Sequence, residues 1–226
     1  MNKRIYRDSS GLTLADYPRP SVAVDTALLT LDADFELVVL QVRRPTGVGW
    51  ALPGTFLHEG ERLADAVDRS LLKKAGVRGL HPRQLHVFDD PDRDDRGWVL
   101  SVAHVDVVRA DRLASRLVGD TRLVPVRSPG RLPYGHGGII ARAVDHIRSR
   151  YAGEPDPDRL LGDEFTLREL RLTHEAVAGT ELQRDWFSRT MERHLVPTST
   201  MTTGTRGRPA ELFRRCRSSH DSRREK

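Results

Sequence analysis

Between residues 50 and 77 the chain reads "WALPGTFLHEGERLADAVDRSLLKKAGV", a stretch that allows few folds. A short apolar strand ends in a turn at Gly54. Leu63, Ala66, Val67 and Leu71 then recur at the three- and four-residue spacing of a helix with one buried stripe. Gly76 is a helix stop. A strand that runs through a glycine turn into an amphipathic helix needs a sheet for the strand and a sheet face for the helix. The helix also raises a question of charge. Ser70, Lys73 and Lys74 stand at i, i+3 and i+4, so the spacing puts two ammonium groups on one side of it.

Upstream, "SVAVDTALLTL" (21–31) and "ELVVLQVRR" (36–44) are apolar, β-branched runs separated by "DADF", the pattern of two paired strands. Downstream, "QLHVFDD" (84–90) and "GWVLSVAHVDVV" (97–108) flank the polar loop "PDRDDR", and "TRLVPV" (121–126) adds another strand. "GGIIARAVDHIRSRYAG" (137–153) is an amphipathic helix with a glycine stop. The expected fold class is α/β in the α+β sense, a mixed sheet flanked by helices across about 150 residues.

The rest of the chain is organised differently. "AGEPDPDRLLGDEF" marks a boundary, which gives a first domain at 1–152, a linker at 153–164, a second domain at 165–217 and a disordered tail at 218–226. Thr166 with Glu169 forms a capping box, and Leu167, Leu170, Thr173, His174 and Val177 make a buried face closed by Gly179. A second helix spans 182–194, with Leu182, Trp186, Phe187 and Met191 expected inward and Arg184, Ser188, Arg189 and Arg193 mainly on the other face. Short strand-like pieces follow around Gly204 and Gly207. Two helices, a tight turn and a basic hairpin form the pattern of a winged helix-turn-helix. Charge agrees with this. Residues 180–226 hold 11 Lys and Arg against 6 Asp and Glu, so the whole net +5 lies there. A neutral body with a basic end points to a polyanion partner. Arg184, Ser188 and Arg189 are candidates for base edges, and Arg193, Arg206 and Arg208 for phosphate or the minor groove.

The first segment resembles the Nudix family, whose box runs Gly, five residues, Glu, seven residues, then Arg-Glu-apolar-any-Glu-Glu-any-Gly-apolar. Thr55 stands at the box glycine, directly after Gly54. Glu61, Arg69, Leu71, Gly76 and Val77 match, and the three helix glutamates fall on Ser70, Lys73 and Lys74. In the hydrolases of that family this face holds divalent cations. Mg²⁺ needs hard oxygen ligands, which ammonium groups repel. The expectation is therefore no catalytic residue, no metal and no Nudix hydrolysis. Lys73 or Lys74 would hold a pyrophosphate directly; the alternative is two solvated lysines on a helix that has lost its role. Both halves together resemble the Nudix-related transcriptional regulators of NAD metabolism, the NrtR family, over roughly residues 18–215. "GTRGRP" resembles the wing of that family, and "LPYGHGG" (132–138) resembles its Leu-Ala-Phe-Asp-His stretch, with Gly135 in place of Asp. The resemblance implies a homodimer on a palindromic operator, control of NAD biosynthesis or salvage genes, and ADP-ribose or a related NAD metabolite as effector rather than cofactor. The ligand-binding candidates are Arg43, Arg44, Glu61, Lys73, Lys74, Arg93, Tyr134 and His136.

The single Cys216 allows no internal disulfide, "MNKRIYRDSSG" has no signal-peptide core, and no run nears about 18 apolar residues. A cytoplasmic protein with no membrane segment is expected. Two other readings remain open: a phosphohydrolase using Glu59, Glu61, Asp89 and Asp90, and an RNA- or protein-binding module on a degenerate scaffold.

Overall fold

In a computed structural model of the protein, residues 6–45, 48–114, 119–202 and 209–216 are described. The first 151 residues contribute β1 (Ser21–Leu31), β2 (Leu37–Arg43), β3 (Trp50–Ala51), β4 (Gly54–Phe56), α1 (Leu63–Ala75), β5 (Arg83–Phe88), β6 (Val99–Val107), α2 (Asp111–Ala114), β7 (Thr121–Pro125) and α3 (His136–Tyr151). β1 is the spine of a seven-stranded mixed sheet with the order β3-β2-β1-β6-β5. It runs antiparallel to β2 with Leu29 opposite Val39, parallel to β6 with Ala27 opposite Val105, and antiparallel to β4 with Asp25 opposite Gly54.

Both faces of β1 are covered, which is why apolar residues fall on both sides of it rather than on alternate positions alone. Ala27, Leu29 and Leu31 pack toward Ile139, Ile140, Ala143 and Ile147 of α3. Val24 and Leu28 pack toward Ala66, Val67 and Leu71 of α1. The two-residue side-chain period of a strand sorts them. Gly76 ends α1 in the left-handed conformation at φ 66°, as a helix-stop glycine does.

The remaining residues form β8 (Phe165–Thr166), α4 (Leu167–Ala178), α5 (Arg184–Met191), a 3₁₀ turn (Glu192–His194), β9 (Leu195–Met201) and β10 (Glu211–Arg215). The three strands make a small antiparallel sheet in the order β8-β10-β9. Phe165, Leu170, Phe187, Met191 and Leu195 form its core. The capping box is present: Glu169 N–H donates to Thr166 Oγ1 at 3.1 Å, and Thr166 N–H donates to Glu169 Oε2 at 2.7 Å. The helix expected at 182–194 is shorter, because Gln183 caps it and its last turn tightens to 3₁₀. Trp186, expected inward, is 56% exposed. Successive helix residues diverge by about 100°, so only one of Trp186 and Phe187 can face the core, and Phe187 does. Among the described residues, no helix is long and apolar enough to cross a membrane.

The two parts are joined by buried chemistry. Asp156, at a φ of 47°, is fully buried. Its carboxylate accepts from Tyr151 Oη–H at 3.0 Å, from the Leu160 and Leu161 N–H groups at 2.8 and 2.9 Å, and from the Arg215 guanidinium. Arg150 pairs with Asp158 beside it. An aromatic ladder also crosses the junction: Tyr151 of α3, His174 of α4 and Phe187 of α5 stack edge to face at 5.0 and 5.1 Å.

Removing one member of a buried pair strands the other, so Asp156→Ala should cost about 3–5 kcal/mol in urea denaturation. The double variant with Arg215→Ala should cost less than the sum of the two single variants. Burial pushes the His174 pKa down to about 4, whereas in the unfolded chain it is about 6.5. Between those values the unfolded state holds more protons, so stability falls as pH falls through that window, by up to about 3 kcal/mol. Denaturation midpoints at pH 7 and pH 4.5 should show that slope, and His174→Asn should flatten it.

Candidate effector cleft and nucleic-acid face

A cleft of about 480 Å³ opens where β1, β2, β4, α1, the β5–β6 loop and the start of α3 meet. That volume suits a small-molecule ligand. At its floor is Asp25, a buried carboxylate on the α3 side of β1. Its Oδ2 accepts from Ser101 Oγ–H at 2.6 Å and lies 3.7 Å from the Arg93 guanidinium, while Oδ1 lies 3.3 Å from His136 Nε2. Burial pushes its pKa up, but the neighbouring His136, Ser101 and Arg93 more than offset that and hold it below the usual carboxylate range. Leu52 N–H donates to His136 Nδ1 at 3.0 Å, so a neutral imidazole carries its proton on Nε2, facing Asp25. Nε2 is close to Asp25 but off the hydrogen-bond line.

Gly54 lets the chain pass over this carboxylate. A Cβ there would fall 1.9 Å from Asp25 Oδ1 and 2.9 Å from the Val24 carbonyl oxygen. Gly54 therefore serves the close approach, one residue before the box position that Thr55 occupies.

The three substituted positions of α1 separate in space. Ser70 is buried, Lys73 is exposed and outside the cleft, and Lys74 lines it. On a helix, i+4 sits about 40° from i, whereas i+3 sits about 60° away on the other side. The Lys74 ammonium donates to the Gly54 carbonyl oxygen. Burial lowers its pKa, and Asp25 opposes that shift. Glu61 is committed elsewhere: Arg69 binds it through two bonds of 2.7 and 2.8 Å and also reaches Thr55 Oγ1 and the Phe56 carbonyl. The Arg69 bonds, with the His58 N–H, pull the Glu61 pKa down to about 2. This pair ties the turn before α1 to the helix.

Among the described residues, no three His, Cys, Asp or Glu side chains converge as a metal site. The cleft carboxylates do not suit a hard cation: Asp25 faces His136, Arg93 and Lys74, and Asp94 is paired with Arg96.

Of the sequence-derived ligand candidates, Arg43, Arg44, Lys74, Arg93, Tyr134 and His136 line the cleft, and Glu61 and Lys73 do not. Arg43 is drawn to the rim by Asp120 at 3.3 Å and by the Trp50 ring at 4.8 Å. Trp50 is half-buried and lies under Arg43 and Arg122. Tyr134 sits at a φ of 58° and is fixed by Arg93, which donates to its carbonyl at 2.6 Å, and by Arg44, which donates to its Oη at 2.7 Å. Sequence reasoning missed Asp25 and did not select Arg96. The signal for Asp25 was a single charge inside an otherwise uncharged strand.

On the second part of the molecule, Arg184, Arg189 and Arg193 are exposed and Ser188 is half-buried. Arg189 folds back to the Asp185 carbonyl at 3.1 Å, and Arg193 lies against His194. No described carboxylate pairs with any of these three arginines. Arg206 and Arg208 lie outside the described residues. Two other arginines of the basic end are used internally, Arg214 on Glu164 and Arg215 on Asp156.

Comparison with known proteins places both halves. The family model of the NrtR DNA-binding winged helix domain matches residues 158–215. An "ADPR responsive transcriptional repressor" of Acinetobacter baylyi is 27% identical over 210 residues, 88% of this chain and 84% of that protein. NrtR of Shewanella oneidensis, solved with a 27mer DNA, is 30% identical with a TM-score of 0.72, covering 86% of this chain and 93% of that one. Its Nudix domain, solved with ADP-ribose, matches 61% of this chain and 95% of that one at 25% identity and a TM-score of 0.51. An ADP-ribose pyrophosphatase of Methanocaldococcus jannaschii is 29% identical over 126 residues, 55% of this chain and 73% of that protein. With a Nudix-type sheet carrying a charged cleft and a winged helix carrying exposed arginines, the chain belongs to the NrtR family of Nudix-related regulators.

Proposed function

We propose that this protein is a transcriptional repressor whose DNA binding is controlled by ADP-ribose or a related nucleotide held in the cleft, without hydrolysis. The observation that carries the reading is Lys74. Its ammonium stands in the cleft at a position where the hydrolases of the fold carry a carboxylate. A diphosphate that would otherwise need a cation to neutralise it meets one supplied by the protein, with Arg44 and Arg93 nearby. Arg43 and Tyr134 complete the rim, and His136 orients Asp25. Glu61 and Lys73 have no direct role in this reading.

The regulator relatives support both partners, since one is named as ADPR-responsive and the other is solved with DNA and with ADP-ribose. The reader is α5 with the β9–β10 wing. Arg184, Ser188 and Arg189 face base edges, and Arg193, Arg206 and Arg208 hold phosphates. A homodimer would set two such heads about 34 Å apart on a palindromic operator of NAD-metabolism genes, in the cytoplasm where the chromosome lies. The pyrophosphatase relative favours a second reading, metal-dependent cleavage of ADP-ribose. The charge at Lys74 argues against it.

Fluorescence polarisation on the protein's own upstream DNA, at about 0.15 M salt, should show release by ADP-ribose that EDTA leaves unchanged. Lys74→Ala should raise the ADP-ribose needed by about tenfold or more, in line with loss of a hydrogen bond to a charged group, with DNA affinity intact. No AMP should form with Mg²⁺ or Mn²⁺; AMP formation would return the hydrolase reading. Arg189→Ala should cost about 1–3 kcal/mol on specific DNA and relax specificity. Arg193→Ala should weaken all duplexes alike and reduce the salt slope by about 1.

A further inference from the structure

One cleft cation does not point at an anion. Arg96 lies over two aromatic rings, with its guanidinium carbon 4.0 Å from the centre of Tyr134 and 4.9 Å from the centre of Phe56. Its edge is taken: Nε and Nη2 donate to the two oxygens of Asp94 at 2.8 and 2.7 Å, and that carboxylate is buried. An arginine whose forked edge is spent on a carboxylate cannot fork a phosphate in the same pose. What it offers instead is a planar cation held over aromatic rings.

The rings themselves are prepared in advance. Phe56 ends β4 and is 37% exposed, a large apolar surface to leave in a polar cleft. Tyr134 holds a left-handed backbone conformation that a non-glycine residue adopts only when its surroundings impose it, and Arg93 and Arg44 impose it. Two rings on separate elements line the cleft with the same guanidinium over both, and the space that guanidinium takes is a candidate slot.

We propose that the Phe56–Tyr134 slot receives the planar base of the nucleotide effector, and that Arg96 fills this slot until the base displaces it. The proposal rests on the reading of the cleft as a nucleotide site and deepens it by separating a base subsite from the cationic end at Lys74. Displacement carries Arg96 out with the β5–β6 loop. Gly97, directly after it, has a φ of 136°, which gives that loop a backbone freedom other residues lack. Arg96 is thus a competitor built into the site. It stands over the rings in the free protein, and it favours ligands with an aromatic base over phosphate sugars.

Calorimetric titration of the full chain with ADP-ribose and with ribose 5-phosphate, which has no base, tests this on the wild type, Arg96→Ala and Phe56→Ala. Arg96→Ala should bind ADP-ribose about three- to tenfold more tightly, as two cation–π contacts no longer compete. Phe56→Ala should bind it at least about fivefold more weakly for loss of base stacking. Phe56→Leu serves as the second variant should Phe56→Ala melt early. Ribose 5-phosphate should not distinguish the proteins. A weaker ADP-ribose complex in Arg96→Ala would make Arg96 a phosphate ligand and overturn the proposal, as would no change. Binding by Arg96→Ala with none by the wild type would support the proposal in its strongest form. If neither binds ADP-ribose, the nucleotide reading of the cleft fails and the slot with it. If the wild type binds and only the Arg96 result is contrary, the slot alone fails.

Discussion

The cleft depends on a carboxylate buried in the central strand. Asp25 is reached by Ser101 from β6, by Arg93 from the β5–β6 loop and by His136 from the start of α3, and Gly54 of β4 passes directly over it. Four elements that pack for apolar reasons elsewhere are thereby fixed in register at one point. A buried charge is costly unless its neighbours compensate, so the arrangement is stable only as a set. Its neighbours are also what give the cleft its positive character. Lys74 can stand half-buried among arginines because Asp25 opposes the penalty, and the net charge available to a ligand is positive.

The same set connects to the DNA-reading half. His136 is the first residue of α3, and Tyr151 is the last. A 16-residue helix is about 24 Å long. One end stands at the cleft floor and the other donates to Asp156 and meets the His174–Phe187 ladder. Arg148, one turn earlier, donates to the Val177 carbonyl of α4 at 3.0 Å. The segment that reads as a linker in the sequence therefore carries Asp156, a buried hydrogen-bonding hub. Close-packed contacts of this kind transmit strain better than a flexible tether does.

The elements were legible wherever period and punctuation coincide. The β1–β2 pair, the α1 stripe with its Gly76 stop, and the Thr166–Glu169 box all announce themselves within a few residues. The site was legible only in part, because its decisive contacts are far apart in sequence. Asp25 and His136 are 111 positions apart by their numbers, and nothing local in "SVAVDTALL" says that a histidine will arrive there. Arg96 was visible as a charge in an acidic loop, but its stacking depends on where β4 and the turn before α3 come to rest. Lys73 and Lys74 look equivalent in a motif alignment and differ by a rotation that only packing against the sheet resolves. Arg214 and Arg215 count toward the basic end on paper, yet their charge is consumed by Glu164 and Asp156.

A sensor must distinguish two states of itself, not merely hold its ligand. Taking operator occupancy from about 99% to about 1% requires roughly 10⁴-fold preference of the effector for the DNA-incompetent state. Contacts that are the same in both states contribute nothing to that ratio. The Lys74 end of the cleft sits between β4 and α1, inside the sheet assembly, and in the proposed reading it serves affinity. The Arg96 end sits on a loop and on Tyr134, two residues before α3 begins. On the proposed slot, exchange of a guanidinium for a base at Tyr134 would act on the turn that precedes α3, and α3 runs from that turn to the Asp156 hub. In that reading affinity and switching belong to opposite ends of one ligand, and a nucleotide fragment that fills only the cationic end would be bound without being read.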